Sequence, residues 1–568
     1  MNLTSEQIEN YKIKLQNRRA QIVDALKDSA VEGMWNQVVD KYSDQAHFLY
    51  EILQNADDAG ATKARFILND NDLVFIHNGK RFFSISDVDS EREDKKKGLL
   101  GDINAITSVG QSNKIDSAKI GKFGMGFKSV FQYTKSPFIY DNAFRFKITD
   151  YMVPVWLEDD YAGRVSGETV FVFPFDRDDV RPEKAKKEIL DKLKNLVLPV
   201  LFLHSLESIE YECGEIKGAY SKKCLETEEN DNIRAQKYQI INGSKEKQSY
   251  LWLFSRTTTD GFAYSVGYFI NEQGKLIPRT NFSAFCFFPT KVVTHLNFLV
   301  HAPFLLTDSR EGIKANSDHN VNMIQRLAEL SADALEFFAK IGEKNHNRMI
   351  DDDIVKIIPI RKNDFNEIDS DTISFAPFYN VIQKKLELGL LPTNNGCVAA
   401  KDACWAKTIS LYELVSTEQL QELTTSRVLN YYTRSFEMKK SKKEWVFTSL
   451  GQRNNPDLDK YLKEMGVDSF SIDDLLPKMK EPFIESQNVE WLCSLYSLIY
   501  ESTESTEKAK FRPIFLNEHH KATSAFIRSA FVNQKPEPNL YLSSANSLGY
   551  NVVLPDIERN EEIGRAHV

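Results

Sequence analysis

No run of about 18 apolar residues occurs anywhere in this 568-residue chain, so the sequence offers no candidate membrane-spanning helix. The N-terminal stretch is polar, charged and helix-periodic, with no apolar signal core, and the expected location is the cytoplasm. Cysteine is scarce: Cys213, Cys224, Cys286, Cys397, Cys404 and Cys493 show no CxxC spacing. That excludes a disulfide scaffold, and without close Cys/His pairs it gives no zinc site. Excess positive charge is absent too. Lys and Arg number 72 against 81 Asp and Glu, a net −9, so no global basic field exists for nucleic acid, although a local patch stays open. With 25 Gly and 18 Pro the chain is neither collagen-like nor low-complexity. What is present is an ordinary globular composition, 42% hydrophobic and 27% charged, long enough for about three to five domains.

Periodicity orders the chain. Ile8, Tyr11, Leu15, Ile22 and Leu26 predict an amphipathic helix over residues 5–30, and a second is expected over 34–59. Two strands, 64–68 and 73–77, flank an Asn/Asp cluster and read as a hairpin. The charge run 87–97 (DVDSEREDKKK) reads as a solvated loop. A Gly-rich turn leads into an apolar helix over 121–133; strands follow at 138–148 and 168–175, then a charged helix at 181–196. Residues 199–310 are mostly strand, 318–341 a helix, and helix and strand alternate from about 350. Segments 390–407 and 512–532 share a plan, a Pro-led start, a polar turn and a run of small and aromatic residues, which hints at an internal repeat.

Four segments carry chemistry. In EILQNADDA, Glu51, Asn55 and Asp58 stand at i, i+4 and i+7, on one helical face beside the apolar Phe48, Leu49, Ile52 and Leu53. In IGKFGMGFKSVF, Gly121, Gly124 and Gly126 form a turn that opens a helix, where free amides and the positive end of the dipole favour phosphate. It is neither a Walker loop nor a Rossmann fingerprint. IHNGKRF, residues 76–82, ends a strand in a Gly turn, and GETVFVFPF, residues 167–175, is a strand with one Thr, Thr169.

In this order and spacing the four segments resemble the GHKL (Bergerat-fold) ATPase superfamily, which includes the heat-shock-ninety chaperones, MutL, gyrase B and histidine kinases. EILQNADDAGAT, GQSNK and SPFIY are especially similar to its sacsin and NO VEIN type. The resemblance is strong over about 30–340 and weak over 350–550. It implies an α+β fold: a Bergerat ATP-binding domain over 1–180, an α/β sandwich with the N-terminal helix; a β-α transducer (middle) domain over 181–345; and a mixed sacsin-like region over 346–561.

It also implies roles. Glu51 would polarise the attacking water as general base, and Asn55 would hold Mg²⁺. Asp58 would support the nucleotide site from behind. Gly121, Lys122, Phe123, Gly124, Met125, Gly126 and Phe127 would bring the backbone to the phosphates of ATP, and Ser112 and Lys114 fall in the lid segment. Thr169 would bond near the adenine. Where well-known members carry an Asp before the Gly turn, this chain reads His77-Asn78-Gly79. The Asn78 oxygen or a neutral His77 ring nitrogen are the two local substitutes as acceptor for the adenine amine. HAPFLLTDSREGI resembles the chaperones' middle-domain loop, in which Arg310 would reach the γ-phosphate.

The function so implied is slow Mg²⁺-dependent ATP hydrolysis driving a chaperone-like conformational cycle on protein clients, with ATP-dependent dimerisation possible. The alternative is the ATPase module of a nucleic-acid-acting defence or repair protein whose effector lies elsewhere; the basic stretch 439–443 (KKSKK) carries few neighbouring aromatics. The end, residues 562–568 (EIGRAHV), reads as a non-native tail on a truncated frame, expected to pack against nothing.

Overall fold

The computed structural model describes residues 3–27, 48–108, 126–230, 233–259, 261, 263–280, 282–307, 311–365, 373–430, 435–446, 455–501, 503–509, 511–516 and 520–524. Helix and strand are interspersed throughout, and the fold is α+β. The chain forms two compact units: residues 1–273 with 281–294 and 298–323, and the chain from 324 onward with 274–280 and 295–297. Among the described residues no helix is long and apolar enough to cross a membrane.

The first unit is organised by one sheet. Helix α1 (Ser5–Leu26) starts in a capping box, Thr4 accepting from the Gln7 amide while the Gln7 side chain accepts from Thr4. Helix α2 (Phe48–Asp58) buries Phe48, Leu49, Ile52, Leu53 and Ala56, the stripe expected from their spacing. It stops where Gly60 takes φ +74°, and the Ala61 N–H reaches back to the Ala56 carbonyl. Residues 34–47 of the expected helix lie outside the described residues.

Strands β1 (Lys63–Leu68) and β2 (Asp72–His77) form the expected hairpin, paired Ala64 to His77 through Leu68 to Leu73. The charge run does not form a loop. Val88–Ser90 is a 3₁₀ turn, and Glu91–Lys97 is helix α3, with its acids in the first turn and its lysines in the last, the order that suits the helix dipole. It docks on α1: buried Arg19 pairs with Glu91 at 2.5 Å, and Lys14 with Asp89 at 2.9 Å. Helix α4 (Asp102–Ile106) follows. The apolar helix expected through 133 is a 3₁₀ helix over Gly126–Gln132, and 121–125 lie outside the described residues.

Strands β3 (Phe138–Tyr140), β4 (Arg145–Thr149), β5 (Val153–Trp156) and β6 (Thr169–Pro174) complete one half of the sheet, and helix α5 (Pro182–Lys194) covers it. The other half is β7 (Ser208–Cys213), β8 (Ile216–Asn230), the 25-residue β9 (Ile233–Thr257), β10 (Ala263–Ile270), β11 (Ser283–Cys286), β12 (Phe288–Val293) and β13 (Leu299–His301). The thirteen strands run β12-β11-β13-β10-β9-β8-β7-β1-β2-β6-β3-β4-β5, with β7 joining β1 in parallel. One core spans Leu15, the α2 stripe, Phe171, Ile189, Leu206, Ile209 and Tyr220. The division expected after residue 180 therefore does not coincide with a break in packing: α5 and β7 close the same core.

Helix α6 (Asp318–Lys344) extends the expected helix by three residues. In the second unit a three-stranded parallel sheet, centred on Ala403–Ala406, packs with helices around Leu411, Leu475, Leu492 and Leu495. The two segments expected to share a plan each contain an antiparallel hairpin, Leu391–Thr393 with Gly396–Val398 and Phe515–Leu516 with Ala522–Thr523. Residues 525–568, including the expected tail, lie outside the described residues.

Candidate functional site

The C-terminal half of α2, the end of β2 and the start of β6 converge. His77 pairs with Thr169 across the β2–β6 ladder, and α2 packs over that end of the sheet. Between them lies a slot lined by Asn55, Ala59, His77, Thr169 and Phe171, with Arg81, Phe82, Phe83 and Asp102 on its other wall. The slot is tight, with a free volume of ≈ 20 Å³. Residues 81–83 of that wall lie in the stretch 80–86, which has no regular secondary structure.

Three polar side chains enter the slot from α2, β2 and β6. Thr169 is 1% exposed, and its Oγ1 has no partner among the described residues. A buried hydroxyl left unbonded costs about 1–3 kcal/mol, so a group that reaches it regains that much. Asn55, 9% exposed, is the second.

His77 is the third. It accepts from the Gly79 N–H at its Nδ1, 3.0 Å away. The neutral ring must then carry its proton on Nε2. Burial pushes the His77 pKa down to about 4, so the ring is neutral near pH 7. Gly79 permits this geometry, because a Cβ there would stand 2.9 Å from both the His77 ring and the Ala59 methyl.

Asn78 faces away. Its Oδ1 accepts from the Thr62 and Lys63 amides at 2.9 and 2.8 Å, and its Nδ2 donates to Thr62 Oγ1. Both acceptors foreseen for an adenine amine are thus engaged within the fold, Asn78 Oδ1 by β1 and His77 Nδ1 by Gly79.

Glu51 lies one turn before Asn55, half-buried and outside the lining of the slot, and Asp58 is solvent-exposed. Phe127 is a core residue, 2% exposed and packed on Phe171 and Phe173. Gly126 begins the 3₁₀ helix. Ser112, Lys114, Gly121, Lys122, Phe123, Gly124, Met125 and Arg310 lie outside the described residues.

Sequence reasoning missed Asp57 and Asp102. Asp57 is 5% exposed; its Oδ1 accepts from the Ser205 and Leu206 amides at 2.7 and 2.8 Å, and its Oδ2 from the His204 amide at 3.0 Å. It ties α2 to the segment that enters β7. Asp102 accepts from the Ser84 amide and hydroxyl and from Arg81, and so pins the wall opposite Thr169. No spacing signal marks either residue, since their partners are amides and side chains distant or irregular in sequence.

No family model matches the chain. Protein NO VEIN of Arabidopsis thaliana is 26% identical over an alignment of 344 residues that covers 54% of this chain and 12% of that protein. Sacsin of Homo sapiens is 27% identical over 129 residues, 21% of this chain and 2% of that protein. The chain thus spans only a small part of either relative's length. Among solved structures, the B-subunit of the DNA gyrase from Myxococcus xanthus aligns at 9% identity and a TM-score of 0.22, over 39% of this chain and 67% of that one. The two relatives match the sacsin and NO VEIN type that the motifs resemble.

Proposed function

We propose that the first unit binds a purine nucleoside triphosphate, ATP by the motif resemblance, in the slot between α2 and β6 and hydrolyses it slowly. The observation that carries this reading is the orphaned, buried Thr169 hydroxyl in one slot with the Asn55 amide and the Nε2–H edge of His77. The similarity to NO VEIN and sacsin supports it. A site of ≈ 20 Å³ admits no purine as it stands, so entry requires the irregular wall 80–86 to move outward.

Mg²⁺, when bound, would neutralise phosphate charge, and the Asn55 amide oxygen suits such a hard cation. Glu51 would take the proton of the attacking water. The test is nucleotide affinity with and without Mg²⁺: Asn55→Ala should abolish the Mg²⁺-dependent part, and undiminished Mg²⁺-dependent binding would reject the site.

Base selectivity should be weak. With both acceptors engaged, the adenine amine meets no fixed acceptor at this turn, whereas the His77 Nε2–H can serve a ring nitrogen or the guanine oxygen. GTP is expected to bind at least as tightly as ATP, and His77→Asp should shift preference toward ATP. Affinity should be flat between pH 6 and 8. It should fall only as the pH approaches the His77 pKa of about 4, where protonation at Nδ1 breaks the bond from Gly79. A drop centred near the ordinary value of about 6.5 would mean that the ring is not held neutral.

The output is read as a conformational cycle acting on protein partners, with nucleotide-dependent dimerisation as its form. A second reading, action on nucleic acid, is favoured by one feature. The hairpin Ser426–Asn430 with Ser435–Lys439 carries Phe436 and Met438, 69% and 65% exposed, immediately before Lys439 and Lys440. The basic stretch thus has an exposed aromatic beside it, which spacing along the sequence undervalued.

A further inference from the structure

The long strand β9 carries both of its ends, Arg234 to Tyr238 and Leu253 to Thr257, to one open cavity of ≈ 900 Å³, walled also by residues 201–204, Lys222, Phe287 and His301. Its volume is that of a small-molecule site. His301 is 2% exposed, and neither ring nitrogen has a partner among the described residues. One face of the ring stacks on Phe202 at 4.3 Å and 9°, and the edge of Phe287 lies 5.0 Å away. Phe287 holds φ +64°, a conformation that costs a non-glycine residue energy and recurs at binding sites.

The charge of the lining is also uneven. Lys222, Arg234 and Arg256 stand against Glu207 and Glu229, and Glu229 is already paired with Arg234 at 3.3 Å. The Lys222 ammonium donates to the Leu203 and Leu201 carbonyls at 2.5 and 3.4 Å, which leaves one of its three protons for the cavity. Burial pushes its pKa down to about 8, although Asp57 and Glu207 pull it upward. An anion bound in the cavity would offset the desolvation that burial imposes on this ammonium. A neutral His301 carries one donor and one acceptor, both shielded from solvent by the packed rings, and a planar polar ring that displaces Phe287 would meet both.

We propose that this cavity is a second ligand site, separate from the slot at α2, which takes a phosphate-bearing molecule of nucleotide size with its anionic group at Lys222 and its ring at His301. The site is one hydrogen-bonded segment from α2, because the stretch whose carbonyls hold Lys222 continues into the amides held by Asp57.

The probe is ADP, titrated calorimetrically into the full chain with Mg²⁺. Two equivalents per chain are expected. His301→Phe should keep the stacking and relieve the two orphaned nitrogens, so it should fold with an unchanged or higher Tm while the second equivalent weakens at least ~10-fold, the loss of one good hydrogen bond. Lys222→Met, which keeps the length of the stem, should weaken the same equivalent. Inorganic phosphate should compete for that equivalent through Lys222. Asn55→Ala tests the slot separately: loss of the other equivalent alone leaves both sites standing, whereas a single equivalent in the wild type that depends on His301 and not on Asn55 would reject the slot and keep the cavity. If His301→Phe and Lys222→Met both fold and bind ADP as the wild type does, the cavity is not a ligand site.

Discussion

Glu51→Gln should still bind nucleotide with near wild-type affinity while turnover falls by roughly 10²–10⁴-fold, the usual contribution of a general base. The substitution keeps the volume and the hydrogen-bonding reach of the side chain and removes only its capacity to take a proton. Glu51 lies one turn from Asn55 on α2 and outside the lining of the slot, so the base and Mg²⁺ contacts proposed for Asn55, His77 and Thr169 stay intact. The effect should therefore appear in kcat, with KM little changed. Single-turnover hydrolysis alongside equilibrium binding separates the cases. Hydrolysis at the wild-type rate would remove Glu51 as the base. A parallel loss of affinity would make it a structural residue of α2 instead.

What the sequence disclosed and what it hid divide along a physical line. Local periodicity exposed α2, whose apolar stripe packs as its spacing requires, and the β1–β2 hairpin, whose Asn69–Asp72 turn is closed by neighbouring groups. Long-range partners were invisible. Most charges of 87–97 are solvated as they looked, Arg92, Glu93 and Lys95 to Lys97 among them, but Glu91 is held by Arg19, 72 positions away and buried against α4 through the Asn104 carbonyl. Asn78 looked like an available acceptor because its two amide partners belong to the start of β1. Asp57 and Asp58 are indistinguishable in a string. On the helix one turns inward to the amides of 204–206 and the other to solvent, and only packing decides which. The boundary set near 180 followed a change from strand to charged helix, yet Ile189 and Leu193 of that helix point into the core already begun by α2. His301, an ordinary residue at the end of a short strand, gains meaning only from the curl of β9.

The largest stability effect is expected at Asp57. A carboxylate near the C-terminal end of α2 sits against the negative pole of the helix and is there because three backbone N–H groups meet it. Asp57→Ala would leave the His204, Ser205 and Leu206 amides without this acceptor, the Leu206 bond being buried and the other two half-buried, where water reaches them more readily. At about 1–3 kcal/mol for each unsatisfied group, partly relieved by water, the net loss should be about 3–5 kcal/mol. Asp57→Asn discriminates charge from geometry. Its remaining oxygen can keep the Ser205 and Leu206 bonds, both of which fall on Oδ1, while its NH₂ would face the His204 N–H as donor against donor. The expected order of stability is wild type, then Asn, then Ala, with Asn nearer the wild type. Amide exchange gives a readout that overall stability does not. Ser205 and Leu206 should lose protection in the Ala variant and keep most of it in the Asn variant, whereas His204 should lose it in both. The same release loosens the carbonyls of Leu201 and Leu203 that hold Lys222, so Asp57→Ala should also weaken ADP at the cavity while Asp57→Asn weakens it less. An Ala variant as stable as the wild type, with residues 204–206 still protected, would mean that this clasp carries no strain between α2 and the strand it leads into.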